Sequence, residues 1–154
     1  MSRREVSTIE PRLALDVRPV AEPFPYRYRM SGNPTRPLPS WEALHDLLHL
    51  LGLEHSYYFL IIDRSDGCER WAQVIGHPEQ MAVELGLPDE PMRVYRTEGD
   101  QSGHTLTSAL GYLVDARCSD LFTAAEAHAL IRTWLERGLL GLVGTALRTP
   151  DDWD

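Results

Sequence analysis

The sequence contains no lysine, so all 15 of its basic residues are arginine, and it contains only one asparagine, Asn33. Lysine and asparagine both have AT-rich codons, so their joint scarcity is typical of a GC-rich bacterial genome and is given no functional interpretation. No apolar run reaches the roughly 20 residues that a transmembrane helix needs, and the N-terminus lacks the continuous apolar core of a signal peptide. These absences predict a cytoplasmic protein that does not bind a membrane.

Cysteine is equally scarce, with Cys68 and Cys118 as the two thiols of the chain. They lack the C-x-x-C spacing of zinc ribbons and redox motifs, and without an export signal we expect both to be reduced. Neither a P-loop nor a dinucleotide-binding glycine fingerprint occurs, so nothing indicates a nucleotide cofactor. The length of 154 residues matches one compact domain.

Charge is unevenly distributed along the chain. The net charge is −8, yet residues 1–37 hold seven arginines and four acidic residues, so the remainder carries −11. An acidic body repels the phosphates of nucleic acids and attracts basic proteins. We therefore expect a protein partner and no nucleic acid, although the same charge also serves solubility.

Proline and arginine are concentrated in an N-terminal arm, residues 1–39, which runs into the turn-forming stretch "SGNPTRPLPS". Within the arm, "RLALDV" and "YRYRM" alternate apolar and polar positions, as exposed edge strands do. Residues 40–154 are predicted to form a single α+β domain. Whether the arm packs on its own core or on a second subunit stays open, and so does a homodimer.

Inside the domain, the pattern predicts a four-stranded antiparallel meander over about 57–97, because four β-rich segments alternate with short turns. Residues 139–147 are predicted to add an edge strand, together with the arm. Ser40 is a good N-cap for a first helix, and Thr123 with Glu126 forms a capping box for the last. The helices that flank the meander are predicted at about 41–52, 107–117 and 124–137.

The first predicted helix carries the segment "HDLLHLLGLEH", which places His45 and His49 four residues apart and His55 after a break at Gly52. Histidines four apart share a helix face, and a third nitrogen can complete a zinc site with one position left for water. The segment resembles the metzincin zinc-binding consensus H-E-x-x-H-x-x-G-x-x-H. The resemblance implies a zinc-dependent hydrolase, with the three histidines as ligands and Asp46 in the place of the general base.

The segment departs from that consensus where the chemistry is most demanding. Asp46 stands where the family has glutamate, and its side chain reaches about 1.5 Å less far toward a zinc-bound water. The 44 residues before His45 also leave little room for the sheet and backing helix that the family places there. On an ordinary surface helix, His45 and His49 lie beside Glu42 and Asp46, away from the leucine stripe. We therefore predict no bound metal and no catalytic residue, and keep the zinc hydrolase as the alternative.

Two other segments, "FLIIDRSDGCERWAQVIG" (59–76) with the following "MAVELG" (81–86), and "TAAEAHALIRTWLERG" (123–138), resemble small actinobacterial proteins, some of them immunity proteins of toxin systems. The resemblance implies a partner rather than a substrate, namely a toxin domain with a basic active-site rim. An acidic surface suits that task, because opposite charge raises the rate of association. The candidate partner-binding residues come from the loops at either end of one predicted strand and are Asp89, Glu90, Glu98 and Asp100.

These observations predict a non-enzymatic protein-binding module without a cofactor. Two other functions stay open, the zinc hydrolase and a small-molecule-binding domain whose pocket lies between the sheet and the helices. Aromatic residues of the predicted strands are assigned to packing, with a ligand surface as the alternative; they are Tyr57, Tyr58, Trp71 and Tyr95.

Overall fold

An antiparallel sheet of eight strands forms the centre of the computed structural model, which describes residues 24–51, 59–67, 69–107 and 113–149. The helices are α1, Trp41–Leu48, and α2, Ala124–Arg137. The strands are β1, Tyr26–Met30; β2, Arg36–Pro37; β3, Phe59–Arg64; β4, Trp71–His77; β5, Gln80–Leu87; β6, Glu90–Arg96; β7, Gly103–Thr107; β8, Leu113–Arg117; β9, Leu121–Phe122; and β10, Thr145–Arg148. A two-stranded hairpin of β7 and β8 stands apart from the main sheet.

The strands of the main sheet lie in the order β10, β6, β5, β4, β3, β1, β2, and the short β9 pairs with the beginning of β5. Short turns join β3 to β6, and such turns force neighbouring strands to run antiparallel. β1 pairs with β3, and β10 pairs with β6. Segments that are far apart in sequence therefore extend the meander on both sides.

Side chains of each strand alternate between the two faces of the sheet, and one face is apolar and packs on the helices. Burying a leucine, isoleucine or valine of this kind stabilises the fold by about 1.5–3 kcal/mol relative to leaving it exposed. The centre of this core consists of Leu60, Ile62, Ala72, Val74, Val83 and Leu85 from the strands and Leu44, Leu48, Leu130 and Ile131 from the helices.

Local capping determines where the helices begin. The Oγ atom of Ser40 accepts a hydrogen bond from the backbone N–H of Ala43 at 3.1 Å. At α2, the Thr123 hydroxyl accepts from the Glu126 N–H at 3.2 Å, and the Glu126 carboxylate accepts from the Thr123 N–H at 2.9 Å. Gly138 ends α2 at a φ of 71°, a left-handed conformation that glycine adopts without strain.

Four charged side chains form a buried charge cluster on the face of the sheet opposite the helices; they are Glu84, Arg93, Asp120 and Arg148. Arg93 and Arg148 stand directly opposite each other on β6 and β10, where like charges repel. One carboxylate oxygen of Asp120 contacts both guanidinium groups, 3.4 Å from Arg93 Nη1 and closer to Arg148 Nη2. Glu84 accepts a hydrogen bond from Arg93 at 2.9 Å. The four charges cancel and hold the 3₁₀ turn Cys118–Asp120 on the sheet.

The predicted fold class is wrong in its element counts. The described residues form an eight-stranded sheet where a four-stranded meander over about 57–97 was predicted, and two helices where three were predicted. The added strands pair with partners that are distant in sequence, and such pairing leaves little local signal. The first helix also ends at Leu48 and does not continue to residue 52.

The helix predicted at about 107–117 is a further correction, because β7 and β8 occupy its ends and pair antiparallel, with Thr105 opposite Asp115. Apolar residues at 109, 110, 113 and 114 match a helical stripe, but a short apolar run fits a strand equally well. The threonine and valine residues of the two strands favour extended backbone, because β-branched side chains are stiff at χ1. Residues 108–112 lie outside the described part.

The predicted edge strands have mixed outcomes. The segment "YRYRM" is β1, which lies inside the sheet because β2 pairs with its outer side. β10 covers residues 145–148, so the strand predicted over 139–147 begins later than expected. The segment "RLALDV" lies outside the described residues. Among the helices of the described residues, none is long and apolar enough to cross a membrane.

We expect Asp120→Ala to lower the free energy of unfolding by about 3–5 kcal/mol, because Arg93 and Arg148 stay buried without their shared carboxylate. Urea unfolding at neutral pH measures the change. Glu79→Ala removes an exposed carboxylate from the turn between β4 and β5 and should change the free energy by less than about 0.5 kcal/mol. Equal losses in the two variants would contradict the role given to the buried charge cluster.

Burial tends to raise the pKa of Glu126, but hydrogen bonds from Thr123 and Arg96 outweigh it, so the pKa lies below its ordinary value of 4.5. A carboxyl group with a depressed pKa stabilises the fold above its unfolded-state pKa, and this contribution is lost as the pH falls through the folded-state pKa. We expect Glu126→Gln to be less stable than the unsubstituted protein at pH 7, by about 1 kcal/mol or less, and to differ little from it near pH 3. Urea unfolding at both pH values tests this, and a difference of equal size at both would rule out the charge as its cause.

Candidate functional site

The first two histidines of the metzincin-like segment are exposed at the end of α1, His45 within the helix and His49 at its C-cap, with ring centroids 4.4 Å apart. The Nδ1 atom of His49 donates a hydrogen bond to the backbone carbonyl of His45 at 2.8 Å. The Nδ1 atom of His45 lies 3.4 Å from a carboxylate oxygen of Asp46, which is itself exposed. His55 lies outside the described residues. The structure thus brings two of the three alternative zinc ligands together and places the alternative base, Asp46, beside one of them.

A third histidine, His128 of α2, lies next to this pair, although no spacing in the sequence pointed to it. Its ring centroid is 6.5 Å from that of His45. Its Nε2 atom donates a hydrogen bond to the backbone carbonyl of Trp41, 87 residues away, at 2.8 Å. Position 128 borders the buried stripe of α2. The helical spacing of that stripe was the one signal in the sequence that could have placed His128 near α1. As the side chains stand, no three histidine, cysteine or acidic groups in the described ranges are arranged to hold a metal ion.

The four acidic residues predicted to border a partner are all exposed, and the structure divides them into two pairs. Asp89 and Glu90 lie at the turn that opens β6, whereas Glu98 and Asp100 follow its other end. A strand rises about 3.4 Å per residue, so β6 holds the two pairs roughly 20 Å apart. A single contact cannot centre on both pairs, so their surroundings decide which end is the better candidate.

Asp89 and Glu90 belong to an exposed surface, called here the Trp71 patch, which consists of Glu69, Trp71, Leu87, Asp89 and Glu90. Leu87 is 41% exposed, and Trp71 is half-buried. The indole nitrogen of Trp71 donates a hydrogen bond to the backbone carbonyl of Leu87 at 2.8 Å. Leu87 stands opposite Glu90 across the turn, and Glu69 precedes Trp71 by two residues. This end of the sheet therefore carries an apolar centre of two residues, Trp71 and Leu87, whose side chains start on alternate faces, together with three carboxylates.

The indole of Trp71 is held in place by close packing against Gly86 on the neighbouring strand. A Cβ atom at position 86 would lie 2.8 Å from Cζ2 of the indole and 2.7 Å from the backbone oxygen of Glu90. Glycine is therefore the residue that fits between them. Together with the hydrogen bond to Leu87, this packing fixes the aromatic ring before any partner binds.

Electrostatics favour the same end of the sheet as a binding site. Six arginines of the described residues already pair with carboxylates of the same chain. By contrast, the carboxylates of Glu69, Asp89 and Glu90 form no ion pair with any residue of the described ranges. Arg70 lies between Glu69 and Trp71 but donates a hydrogen bond to the Leu135 carbonyl, so these three carboxylates give the Trp71 patch a negative rim. The internal ion pairs are Arg27–Asp63, Arg64–Asp66, Arg96–Glu126 and Arg132–Glu136, with Arg93 and Arg148 in the buried charge cluster.

At the other end of β6, Asp100 is engaged within the fold. Its Oδ1 atom accepts a hydrogen bond from the backbone N–H of Ser102 at 2.9 Å, and this bond with that of the Ser102 side chain lowers the pKa of Asp100. The Ser102 hydroxyl lies 3.4 Å from the sulfur of Cys118. An open cavity of about 750 Å³ lies on the β7–β8 hairpin, and its polar lining includes Gln101, His104, Thr105, Asp115 and Arg117.

Compared with known proteins, the sequence matches no family model and no curated protein. The likenesses to metzincins and to immunity proteins stay resemblances of short segments. Function is therefore inferred from the arrangement of side chains.

We expect Gly86→Ala to lower the free energy of unfolding by about 1–3 kcal/mol, because the added methyl group overlaps the Trp71 indole and the Glu90 carbonyl. The indole must move, so the near-ultraviolet circular dichroism spectrum should change too. Gly103→Ala is the matched control, since a Cβ atom there meets nothing within 4 Å. If Gly86→Ala behaves like this control, the indole is not held as described.

Proposed function

We propose that the protein is a non-enzymatic module that binds a basic protein through the Trp71 patch, and that it neutralises a toxin domain in this way. The supporting observation is that a half-buried Trp71 and an exposed Leu87 lie at the same end of the sheet as three carboxylates that form no ion pair with a described arginine. In this proposal the protein acts in the cytoplasm and needs no cofactor.

The apolar centre would supply most of the binding energy. Tryptophan is enriched among the interface residues whose truncation costs 2 kcal/mol or more, and such residues lie near the centre of a contact. Trp71 is already fixed by Gly86 and by its hydrogen bond to Leu87, so binding would order few side-chain rotations. Leu87 adds exposed apolar area at the same end of the sheet.

The carboxylate rim would supply partner selection and speed. Opposite charges steer two proteins together and raise the association rate constant, and this effect weakens as salt screens charges beyond about 8 Å. A toxin that acts on nucleic acid carries basic residues around its active site. The carboxylates of Glu69, Asp89 and Glu90 would pair with those basic residues. The phosphates of the nucleic acid could then no longer bind there.

The toxin-neutralising role rests on the resemblance of residues 59–76 and 123–138 to immunity proteins. The first of these segments contributes two members of the patch, Glu69 and Trp71. The second is α2 with its N-cap and C-cap, which packs on the opposite side of the sheet and supports it.

The test measures binding to a purified basic toxin domain encoded next to the gene of this protein, by surface plasmon resonance at low and high salt. We expect the double variant Asp89→Arg/Glu90→Arg to lower the association rate constant at low salt by about tenfold or more. Leu87→Ala should mainly raise the dissociation rate constant, because it removes apolar contact area.

The matched control is Glu79→Arg/Glu98→Arg, which changes the net charge equally at the opposite end of the sheet. Both double variants change the net charge by the same amount. After correction for this common effect, the association rate constant of the control should stay within about twofold of that of the unsubstituted protein. Equal losses in both double variants would contradict the Trp71 patch as the binding site. A gene with no toxin-like neighbour, or a neighbour that does not bind, would contradict toxin neutralisation.

A further inference from the structure

Three imidazole rings lie close together where α1 packs on α2, and no sequence motif contains all three. The ring of His45 lies 4.4 Å from that of His49 and 6.5 Å from that of His128, measured between centroids. The first two come from one turn of α1 and the third from α2. This histidine cluster shares no residue with the Trp71 patch, which lies where β4, β5 and β6 begin or end.

Hydrogen bonds orient each imidazole and select its tautomer. A backbone carbonyl can only accept, so the bonds from His49 Nδ1 to the His45 carbonyl and from His128 Nε2 to the Trp41 carbonyl place a proton on each of those nitrogens. In the neutral rings, the lone pairs are then on His49 Nε2 and His128 Nδ1. The Nδ1 atom of His45 faces the Asp46 carboxylate, which leaves Nε2 of that ring as its acceptor. Histidine ligands of metals are commonly held by an oxygen acceptor in this way.

We propose that His45, His49 and His128 bind one divalent transition-metal ion, with Zn²⁺ as the representative ligand. Neutral imidazole nitrogen suits zinc, copper, nickel and cobalt, and it does not suit calcium or magnesium. Three nitrogens leave a fourth position for water or a carboxylate. The metal would tie the end of α1 to α2, so its first effect would be on the stability of the helix pair.

The rings must move to reach a common ion, because no three donors of the described residues converge as they stand. With nitrogen–zinc distances of 2.0–2.1 Å, the centroids of imidazoles around a tetrahedral ion lie about 5 Å apart. The observed separations of 4.4 and 6.5 Å lie on either side of this value. The side chain of His45 is 58% exposed, so rotation of this ring toward His128 meets little packing.

Charges around the histidine cluster favour a cation. Asp46 is next to His45, and Glu42 lies one turn earlier on the same helix, both exposed. Arg132 is one turn beyond His128 on α2, but its guanidinium lies over the Trp41 ring and pairs with Glu136. The acidic groups can therefore offset the charge of the ion.

The proposed ligand set differs from the metzincin-like one in its third member. The sequence motif uses His55, whereas the packing of α2 on α1 supplies His128. A site of the first kind lies along one chain segment, and a site of the second kind links two helices. Single substitutions therefore distinguish them.

Calorimetric titration with Zn²⁺, and visible absorption on titration with Co²⁺, test the proposal on the untagged full chain. We expect one ion per chain. His45→Ala, His49→Ala and His128→Gln should each weaken binding by at least about tenfold. His77→Ala and His104→Ala, which lie elsewhere in the fold, should leave the affinity unchanged. Zn²⁺ should also raise the midpoint of thermal unfolding, and His128→Gln should abolish this rise.

His128→Gln keeps a side-chain donor for the Trp41 carbonyl, and circular dichroism verifies that the variant is folded. His45→Ala alters an exposed residue, so its loss of binding stays informative if a change at position 128 disturbs the helix pair. Unchanged affinity in His128→Gln overturns the proposal. So does loss of binding in His55→Ala with full binding in His128→Gln, or the lack of stoichiometric binding by the unsubstituted protein.

Discussion

The buried charge cluster is the interaction on which the rest of the structure depends. Arg148 of the last strand stands opposite Arg93, and two buried guanidinium groups are compatible there because Asp120 contacts both. This requirement brings the 3₁₀ turn onto the sheet, with β9 and the start of α2 directly after it. A buried ion pair contributes more to the choice of one arrangement than to net stability. We therefore expect it to favour the observed register of β10 against β6.

Ion pairs between arginines and carboxylates of the chain also determine which acidic groups stay unpaired on the surface. Six arginines pair with carboxylates, whereas Glu69, Asp89 and Glu90, at or beside turns, form no ion pair among the described residues. One such turn adjoins Trp71 and Leu87, and the combination of apolar centre and acidic rim distinguishes that end of the sheet. The histidines lie on the helical side. The proposed partner-binding site and the proposed metal site therefore share no residue.

Sequence reasoning succeeded where the signals are local and failed where they are not. The ends of α2 follow from Thr123, Glu126 and Gly138, which lie within one turn of the helix termini. The turns between β3 and β6 are marked by glycine, proline and acidic residues that need no distant partner. The β7–β8 hairpin was mistaken for a helix because its apolar residues fit both periods. β9 had no signal, since its two residues are a strand only by pairing with β5.

By itself, the sequence determined the ends of α2, the turns of the meander, the apolar stripes and the excess of acidic charge, because each depends on residues within a few positions of one another. The tertiary structure alone decided that His128 lies beside His45. It also decided that Asp89 and Glu90 lie at the same end of the sheet as Trp71. Glu98 and Asp100 lie at the other end. These neighbours come from segments far apart in the chain. Side-chain packing across the sheet and between the helices brings them together, and no local pattern encodes it.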